Sequence, residues 1–354
     1  MTRSILQSLK VIFKTDVRVF VYPSSATGAW EAALTNTLSP GDRVLLFEHG
    51  FFAFKWARVA ERLGLTVDLV PDDWRVGLDA GALRERLAAD PDHLIKAVLV
   101  VHNETSTGVT TRIPPLRGAM DEIGHPALLM VDAVSSLAAT DLQHDGWGID
   151  VTVSGSQKAL MLPPGLSFTA VSEKALQAST NAALPRSYWD WGDMVRFNDN
   201  GFFPYTPATN LLYGLREAAA MLEEEGLERA FARHARHAEA TRRAVDAWGL
   251  ENVALNANEY SNAATSVFVP DGSDADHLRR IILDRFDMSL GKGLGQLEGR
   301  VFRIGHLGDL NDLTLAGTLA GVEMGLRAAG VPHRAGGAQL ACEFLSDIPL
   351  ENDG

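Results

Sequence analysis

Residues 95–101, Ile-Lys-Ala-Val-Leu-Val-Val, decide the predicted fold together with residues 127–131, Ala-Leu-Leu-Met-Val. Both runs are almost continuously apolar, which is typical of parallel strands whose two faces are buried. Further short apolar runs and the helical patterns between them lie at residues 17–22, 28–38, 43–47, 51–63, 66–70, 80–89, 148–153 and 167–171. Strands that alternate with helices of about ten to fifteen residues indicate βαβ units, so we predict a doubly wound, mostly parallel sheet.

The chain continues with two long helical patterns and a second mixed region. These helices and strands are predicted at residues 207–225, 227–248, 264–269, 275–286, 301–304 and 313–329. We place the domain boundary inside the long helical stretch. The predicted organisation is a large domain over residues 1–225 and a smaller C-terminal α/β domain over residues 226–354.

Charge and composition exclude several classes of protein. The 354-residue chain has a net charge of −13, which argues against nucleic-acid binding because such binding depends on clustered Lys and Arg. No run of about eighteen apolar residues is present, so no membrane span is expected. The single cysteine, Cys342, excludes a disulfide within the chain and a cysteine-based zinc site. This cysteine content fits a reducing compartment, and we predict a cytoplasmic protein.

Lys158 carries the clearest chemical signal. It lies in the run Ser-Gly-Ser-Gln-Lys-Ala-Leu-Met-Leu-Pro-Pro-Gly at residues 154–165, just after a predicted strand and among small side chains. A lysine so placed can condense with an aldehyde and hold pyridoxal phosphate as a Schiff base. The alternative is an ordinary surface lysine, and the other residues of the chain must decide between the two.

Asp132 and the segment at residues 23–31 suit the two ends of such a cofactor. Asp132 follows the strand at residues 127–131, and an anion at a strand end can pair with a protonated pyridine nitrogen. The alternative role for this aspartate is to cap a turn. Ser25 and Thr27 lie where a strand ends and a helix begins, which is a natural anion site or, alternatively, a helix cap without a ligand.

Three further features could contact the ring or a substrate. The run at residues 102–108 contains small hydroxyl side chains that could hydrogen-bond a phenolic oxygen. Phe52, just after a strand and Gly50, could stack on the ring or belong to the core. Arg303 lies inside an apolar strand, where a buried arginine needs an anion, either a substrate carboxylate or a structural Asp or Glu.

Five stretches together resemble one known family. They are residues 102–108, 132–136, 154–165, 205–217 and 303–308, and they occur in the order that the family has. The chain is similar, from about Thr2 to its end, to the serine/alanine–glyoxylate aminotransferases, which are fold-type I, class V pyridoxal-phosphate enzymes. The resemblance implies a large, mostly parallel-sheet domain flanked by helices and a smaller C-terminal α/β domain.

The resemblance also implies roles for single residues. Lys158 would carry the cofactor, Asp132 would lie at its pyridine nitrogen, and Thr105 would lie near its phenolic oxygen. The further roles it implies are ring stacking by Phe52, a substrate-carboxylate clamp at Arg303, and a phosphate loop and phosphate contacts at Ser25, Ala26, Thr27 and Gln157. In this family Thr206 would reach the phosphate of the neighbouring subunit, so a homodimer is expected.

The chain departs from the family pattern in three places. Related chains usually begin with a Gly- and Pro-rich segment that approaches the substrate, and Met1 falls where that segment would already have ended. Ala26 replaces the usual glycine of the phosphate loop and adds a methyl group there. Phe202 and Phe203 occupy a place where a tyrosine is common, so one phosphate contact is expected to be lost.

The predicted reaction is a ping-pong transamination. A small amino acid (serine, alanine or aspartate) gives its amino group to glyoxylate or another small 2-oxo acid, and the freed amine of Lys158 moves the α-proton. Two alternatives stay open. A desulfurase or lyase of the same fold needs a cysteine before the arginine and usually has a histidine beside the lysine. Here Cys342 lies beyond Arg303, and Gln157 is the residue before Lys158. The other is a remnant that binds cofactor but is catalytically impaired.

Two other motifs receive structural interpretations. His234 and His237 have a spacing that could ligate a metal, but arginines surround them, so we predict a solvated helix face and no metal site. The glycine-rich run at residues 291–295 superficially resembles a dinucleotide loop, and we predict a flexible segment there.

Overall fold

The computed structural model describes residues 1–347. Its α-helices are α1 (Thr2–Phe13), α2 (Ala26–Thr37), α3 (Phe51–Arg62), α4 (Ala80–Ala88), α5 (Ile113–Glu122), α6 (Glu173–Ser179), α7 (Trp191–Asp199), α8 (Thr209–Glu225), α9 (Leu227–Trp248), α10 (Ala275–Phe286), α11 (Asp312–Ala328) and α12 (Gly337–Ser346). Its strands are β1 (Arg18–Tyr22), β2 (Arg43–Glu48), β3 (Thr66–Pro71), β4 (Ile95–Val101), β5 (Asn103–Glu104), β6 (Val109–Thr110), β7 (Leu128–Asp132), β8 (Val151–Gly155), β9 (Ser167–Val171), β10 (Glu251–Asn252), β11 (Ala264–Phe268), β12 (Gly291–Lys292) and β13 (Val301–Gly305). Short 3-10 helices cover Ala257–Glu259 and Gly295–Leu297.

A seven-stranded sheet forms the centre of the larger part of the chain. Its strand order is β1-β9-β8-β7-β4-β2-β3, and β2, β3, β4, β7 and β8 run parallel to their neighbours in this group. β9 runs antiparallel to both β1 and β8. The prediction of a large, mostly parallel sheet is therefore confirmed.

The two faces of this sheet are covered by different helices. On one face α2, α3, α6 and α7 enclose a core with Leu46 and Leu99. On the other face α4 and α5 enclose a core with Leu45 and Val98. Neighbouring residues of one strand thus point into opposite cores, which explains why the strand sequences are continuously apolar.

The parallel strands bring functional side chains to one edge. Val101, the last residue of β4, pairs in register with Asp132, the last residue of β7. Asp132 in turn pairs with Val153 of β8. The segments that follow β4, β7 and β8 therefore emerge side by side at the carboxyl edge of the sheet, where α/β folds place their sites.

A smaller antiparallel sheet lies in the C-terminal part, in the order β10-β11-β13-β12. Arg303 in β13 faces Ser266 of β11 and Gly291 of β12 in register. Helices α9 to α12 enclose a separate hydrophobic core with this sheet. α8 ends at Glu225 and α9 begins at Leu227. The division into two domains near residue 225 stays a prediction, and residues 348–354 of the predicted second domain lie outside the described residues.

The prediction of a flexible segment at residues 291–295 is wrong. Gly291 and Lys292 form β12, which pairs with β13, and a 3-10 turn follows. The pairing is permitted because Gly291 lacks a side chain, since a Cβ there would lie 3.0 Å from Cβ of Arg303.

Within residues 1–347, no helix combines the length and the apolar character needed to cross a lipid bilayer.

Candidate active site

A pocket of about 290 Å³ opens at the carboxyl edge of the large sheet. Eight of the ten predicted site residues line it: Ser25, Ala26, Thr27, Phe52, Thr105, Asp132, Gln157 and Lys158. The pocket is also lined by Trp30, Lys55, Val101, Asn103, Val134 and Ser135, for which the sequence predicts no role in the site. Side chains from five separate segments of the sequence therefore converge on one cavity.

Lys158 lies on a tightly pinned turn after β8. Ser156 donates from its Oγ to the carbonyl of Pro163 at 2.8 Å, and its own N–H donates to the carbonyl of Leu166 at 3.0 Å. The carbonyl of Lys158 accepts from the N–H of Met161 at 2.9 Å. The backbone is thus fixed while the lysine side chain faces the pocket.

The electrostatic surroundings of Lys158 favour a neutral amine. Burial and the nearby charge of Arg303 lower the pKa of the Lys158 amine, while Asp132 acts in the opposite direction. Among the side chains of residues 1–347, none hydrogen-bonds Nζ of Lys158. A desolvated lysine with a depressed pKa is the form that can act as a nucleophile or a base.

Asp132 is held by two donors at the bottom of the pocket. Its Oδ2 accepts from Nε1 of Trp30 at 2.8 Å, and its Oδ1 accepts from the N–H of Val134 at 2.8 Å. Burial raises the pKa of Asp132 to about 7, against the lowering effect of these two hydrogen bonds and of the Lys158 charge. Because both oxygens are fixed, this carboxylate is presented in one orientation.

The N-terminus of α2 forms another wall of the pocket. Ser25 is its N-cap residue, but its side chain makes no capping hydrogen bond, and Ala26 and Thr27 open the helix. A Cβ placed on Gly155 would lie 3.6 Å from Cβ of Ala26 and 3.0 Å from Oε1 of Gln157, so these segments are close together. Free helix N–H groups beside hydroxyl and amide side chains form an anion site.

The segment after β4 contributes Asn103 and Thr105. Oγ1 of Thr105 lies 2.6 Å from Oγ of Ser135, which belongs to the segment after β7. Oδ1 of Asn103 accepts from Ser261 at 2.6 Å and from Thr110 at 3.2 Å. Nδ2 of Asn103, however, is buried and has no partner within the described residues. A buried donor without a partner beside a cavity is available for a hydrogen bond to an acceptor atom of a ligand.

Phe52 and Arg303 complete the surroundings. Phe52 is the second residue of α3 and is half-buried, with its ring against the pocket. Arg303 does not line the pocket; its Nε donates to the carbonyl of Lys292 at 2.9 Å and its Nη1 to the carbonyl of Thr105 at 2.9 Å. Burial lowers the pKa of Arg303, and its charge still acts on Lys158.

Thr206 is the predicted site residue that the fold leaves apart. It is exposed, lies between α7 and α8, and does not line the pocket of its own chain. Phe202, nearby, is 67% exposed. The role of Thr206 in a neighbouring subunit stays a prediction, since a single chain is described.

The prediction of a solvated face for His234 and His237 is wrong. Both are fully buried in α9. His234 accepts from the N–H of Gly308 at 2.9 Å, and His237 lies 2.9 Å from Oδ1 of Asp312. Burial lowers the pKa of His234 to about 4. The two histidines therefore join α9 to the segment after β13, and no metal-binding group of three or more ligands occurs within residues 1–347.

The fold and the site define a class of protein. The family model "Aminotransferase class-V" matches residues 9–293, and the chain belongs to this family, which is pyridoxal-phosphate dependent. Relatives within it carry more specific names. The chain is 47% identical to the serine–glyoxylate aminotransferase of Arabidopsis thaliana over 354 residues, which cover 99% of this chain and 88% of that protein.

Two further similarities extend this finding. The L-aspartate–glyoxylate aminotransferase of Paracoccus denitrificans is 44% identical over 334 residues, which cover 94% of this chain and 84% of that protein. The crystal structure of ureidoglycine–glyoxylate aminotransferase from Bacillus subtilis superposes with a TM-score of 0.90 at 27% identity, and it covers 98% of this chain and 89% of that one. The predicted family and the fold-type I architecture are confirmed.

Proposed function

We propose that this chain is a pyridoxal-phosphate-dependent transaminase that moves an amino group from a small amino acid to glyoxylate. The observation that carries the proposal is the placement of Lys158 and Asp132 in one pocket at the carboxyl edge of the sheet. Three of the similar proteins described above have names that include glyoxylate. The names of two of them also include serine and aspartate, and our proposed donor is serine, alanine or aspartate.

The pocket suits the cofactor of the family. It contains a lysine with a depressed pKa, an aspartate with both oxygens held, and a helix N-terminus with uncapped N–H groups. The orphaned Nδ2 of Asn103 adds a donor that awaits an acceptor. These four features match an aldehyde, a pyridine nitrogen, a phosphate and a ring oxygen, respectively.

The proposed binding roles follow from this match. Lys158 would form the covalent link, and Asp132 would pair with the pyridine nitrogen. Ser25, Ala26, Thr27 and Gln157 would hold the phosphate, and Phe52 would cover one ring face. We propose Asn103 as a second contact for the phenolic oxygen, beside Thr105. When bound, the cofactor supplies an electron sink for the bond that breaks at the substrate α-carbon.

The side chains of the chain do the remaining work. Lys158 would take the α-proton on Nζ, which its depressed pKa permits, and would pass it to the cofactor carbon that keeps the amino nitrogen. The ionised carboxylate of Asp132 would hold a proton on the pyridine nitrogen of the bound cofactor. Arg303 would bind the α-carboxylate and so orient the Cα–H bond toward the lysine.

We further propose that the active unit is a homodimer, with Thr206 from one subunit at the phosphate site of the other. The exposed position of Thr206 outside its own pocket is compatible with this role. The desulfurase alternative is not favoured, because Cys342 is exposed on α12 and does not line the pocket. The division of the chain near residue 225 stays part of the proposal.

Borohydride reduction in the presence of pyridoxal phosphate, followed by peptide mass analysis, tests the proposal. The pyridoxyl label should lie on Lys158. Reaction of the loaded protein with serine, alanine and aspartate in turn, followed by glyoxylate, then identifies the donor from the 2-oxo acid released. A label on another lysine, or glycine formation with none of the three donors, would contradict the proposal.

A further inference from the structure

Glu104 is a fully buried carboxylate next to the candidate site that has had no role so far. Its Oε2 accepts hydrogen bonds from the backbone N–H groups of Phe52 at 3.0 Å and Ala53 at 3.2 Å. Its Oε1 accepts from the N–H of Ser106 at 3.0 Å and from the Oγ of Ser106 at 2.6 Å. Four donors thus compensate for the desolvation of this charge.

Glu104 and Ser106 together cap α3. The first three helical N–H groups have no partner inside the helix, and the N-cap residue, Gly50, has no side chain to offer. Phe51 donates instead to Oγ of Ser106 at 3.1 Å, while the next two N–H groups donate to Glu104. A Cβ on Gly50 would lie 2.1 Å from Cγ of Glu104, so glycine is required there for the carboxylate to approach.

The same two residues flank Thr105. The carbonyl of Thr105 accepts a hydrogen bond from Nη1 of Arg303 at 2.9 Å, and Oγ1 of Thr105 is hydrogen-bonded to Oγ of Ser135. Three proposed site residues therefore depend on one short segment. Phe52 depends on it through the capped helix, Thr105 through the backbone, and Arg303 through the Thr105 carbonyl.

We propose that Glu104, assisted by Ser106, is a positioning residue that holds the Phe52 ring and the Thr105 peptide in place for cofactor and substrate. This inference rests on the proposed function, because the ring and the peptide matter only if the cofactor binds between them. Glu104 acts through its hydrogen bonds, and it does not line the pocket.

Glutamine at position 104 separates hydrogen bonding from charge. Its amide oxygen can still accept from Phe52 and Ala53, and its NH₂ group can donate to Oγ of Ser106, so that the backbone N–H of Ser106 is the one donor that loses its acceptor. Alanine removes every contact. A role through hydrogen bonds therefore makes Glu104→Gln resemble the wild type, whereas a role through charge alone makes it resemble Glu104→Ala.

Hydrogen exchange of the apoprotein tests the cap without any cofactor. In Glu104→Ala the amides of Phe52 and Ala53 should exchange about tenfold faster or more, since each loses a hydrogen bond to a charged acceptor. Glu104→Gln should keep slow exchange. The matched control is Glu61→Ala, which removes an exposed glutamate near the other end of α3. Unchanged exchange in Glu104→Ala, or equal acceleration in Glu104→Gln, would overturn the inference.

A double-mutant cycle on pyridoxal-phosphate affinity tests the positioning role. Glu104→Ala and Phe52→Leu should each weaken binding, the former by about tenfold or more, and their combined effect should be clearly smaller than the product. Independent effects would show that Glu104 does not act through Phe52. If Glu104→Ala fails to fold, Ser106→Ala replaces it, with faster exchange at Phe51 as the expected result and unchanged exchange as the contrary one. A wild-type chain that binds no pyridoxal phosphate would remove the proposed function, and the exchange experiment would still decide whether Glu104 caps α3.

Discussion

Nε1 of Trp30 donates a hydrogen bond of 2.8 Å to Oδ2 of Asp132, across 102 residues of sequence. Trp30 itself is stacked on Trp56, with ring centroids 5.6 Å apart and planes 14° apart. Nε1 of Trp56 is buried and has no partner within the described residues. The two indoles thus share a hydrophobic environment, but only Trp30 acts on the carboxylate.

Replacement of Trp30 by phenylalanine should shift the pH dependence of cofactor binding. The indole hydrogen bond favours the ionised carboxylate, so its loss should raise the pKa of Asp132 above the present value of about 7. The acid limb of the pyridoxal-phosphate affinity profile should therefore move to higher pH. Trp56→Phe is the matched control and should leave the limb in place. Equal shifts in the two variants would show that packing, not the hydrogen bond, is responsible.

The stability of the apoprotein should also report the ionisation of Asp132. Burial raises the pKa of this group from 3.8 to about 7, which means that the folded chain favours the protonated carboxyl. The free energy of unfolding that this preference adds is therefore fully present below about pH 4, and it is lost as the pH rises from there through 7. Asp132→Asn removes this loss. The melting temperature of the variant relative to the wild type should therefore be more favourable at pH 8 than at pH 5.

Calorimetry of the apoproteins at the two pH values provides the measurement. The amide of Asp132→Asn disturbs the contact with Trp30, but that cost is the same at both pH values. Asp92→Asn, which removes an exposed carboxyl that forms no ion pair within the described residues, is the control and should not reproduce this difference. A difference between Asp132→Asn and the wild type that does not change with pH would refute the raised pKa.

Lys158→Ala should lose both the borohydride-dependent label and turnover, because Lys55, the other lysine that lines the pocket, is not proposed to form the link. Mass analysis of the reduced protein and an assay of glyoxylate amination provide the two readouts. Lys96→Ala is the control, since Lys96 is an exposed lysine on the same sheet. Full labelling of the Lys158→Ala variant at a second site would rule out the assignment.

Arg303→Ala should raise KM for the amino donor by roughly ten- to hundredfold, the equivalent of a lost hydrogen-bonded charge pair. Steady-state kinetics with serine and with aspartate measure the change. Arg300→Ala, an exposed arginine just before β13, should keep the wild-type KM. An unaltered KM in Arg303→Ala would mean that the arginine only joins Thr105 to Lys292.

The core of the large sheet is predictable from sequence because its physical signal is local. β4 and β9 have the predicted bounds, and the other strands of the sheet differ by a few residues at their ends. Parallel strands also share one carboxyl edge, so the sequence alone places Asp132 and Lys158 near each other. Helix α1 is missing from the sequence prediction, although Ile5, Leu9 and Ile12 have helical spacing and are buried.

The contacts within the site are not predictable in the same way. Trp30 belongs to no motif that indicates a function. Its hydrogen bond to Asp132 becomes evident only when α2 is seen packed against the sheet. His234 and His237 share α9 with several arginines, so the sequence favours solvent, yet the segment after β13 covers them. Glu104 is visible within residues 102–108, but its role depends on where α3 begins. In each case the deciding neighbour is distant in sequence.

Arg303 has five N–H donors, and two backbone carbonyls already occupy Nε and one hydrogen of Nη1. Because the Lys292 carbonyl of β12 already accepts from Nε, a carboxylate could form a bidentate contact only end-on, through Nη1 and Nη2. Such a contact would arrive from a single direction and would help to distinguish mirror-image amino acids. Stereochemical preference would then depend on a strand of two residues, whose Gly291 tolerates no methyl group without displacing the arginine.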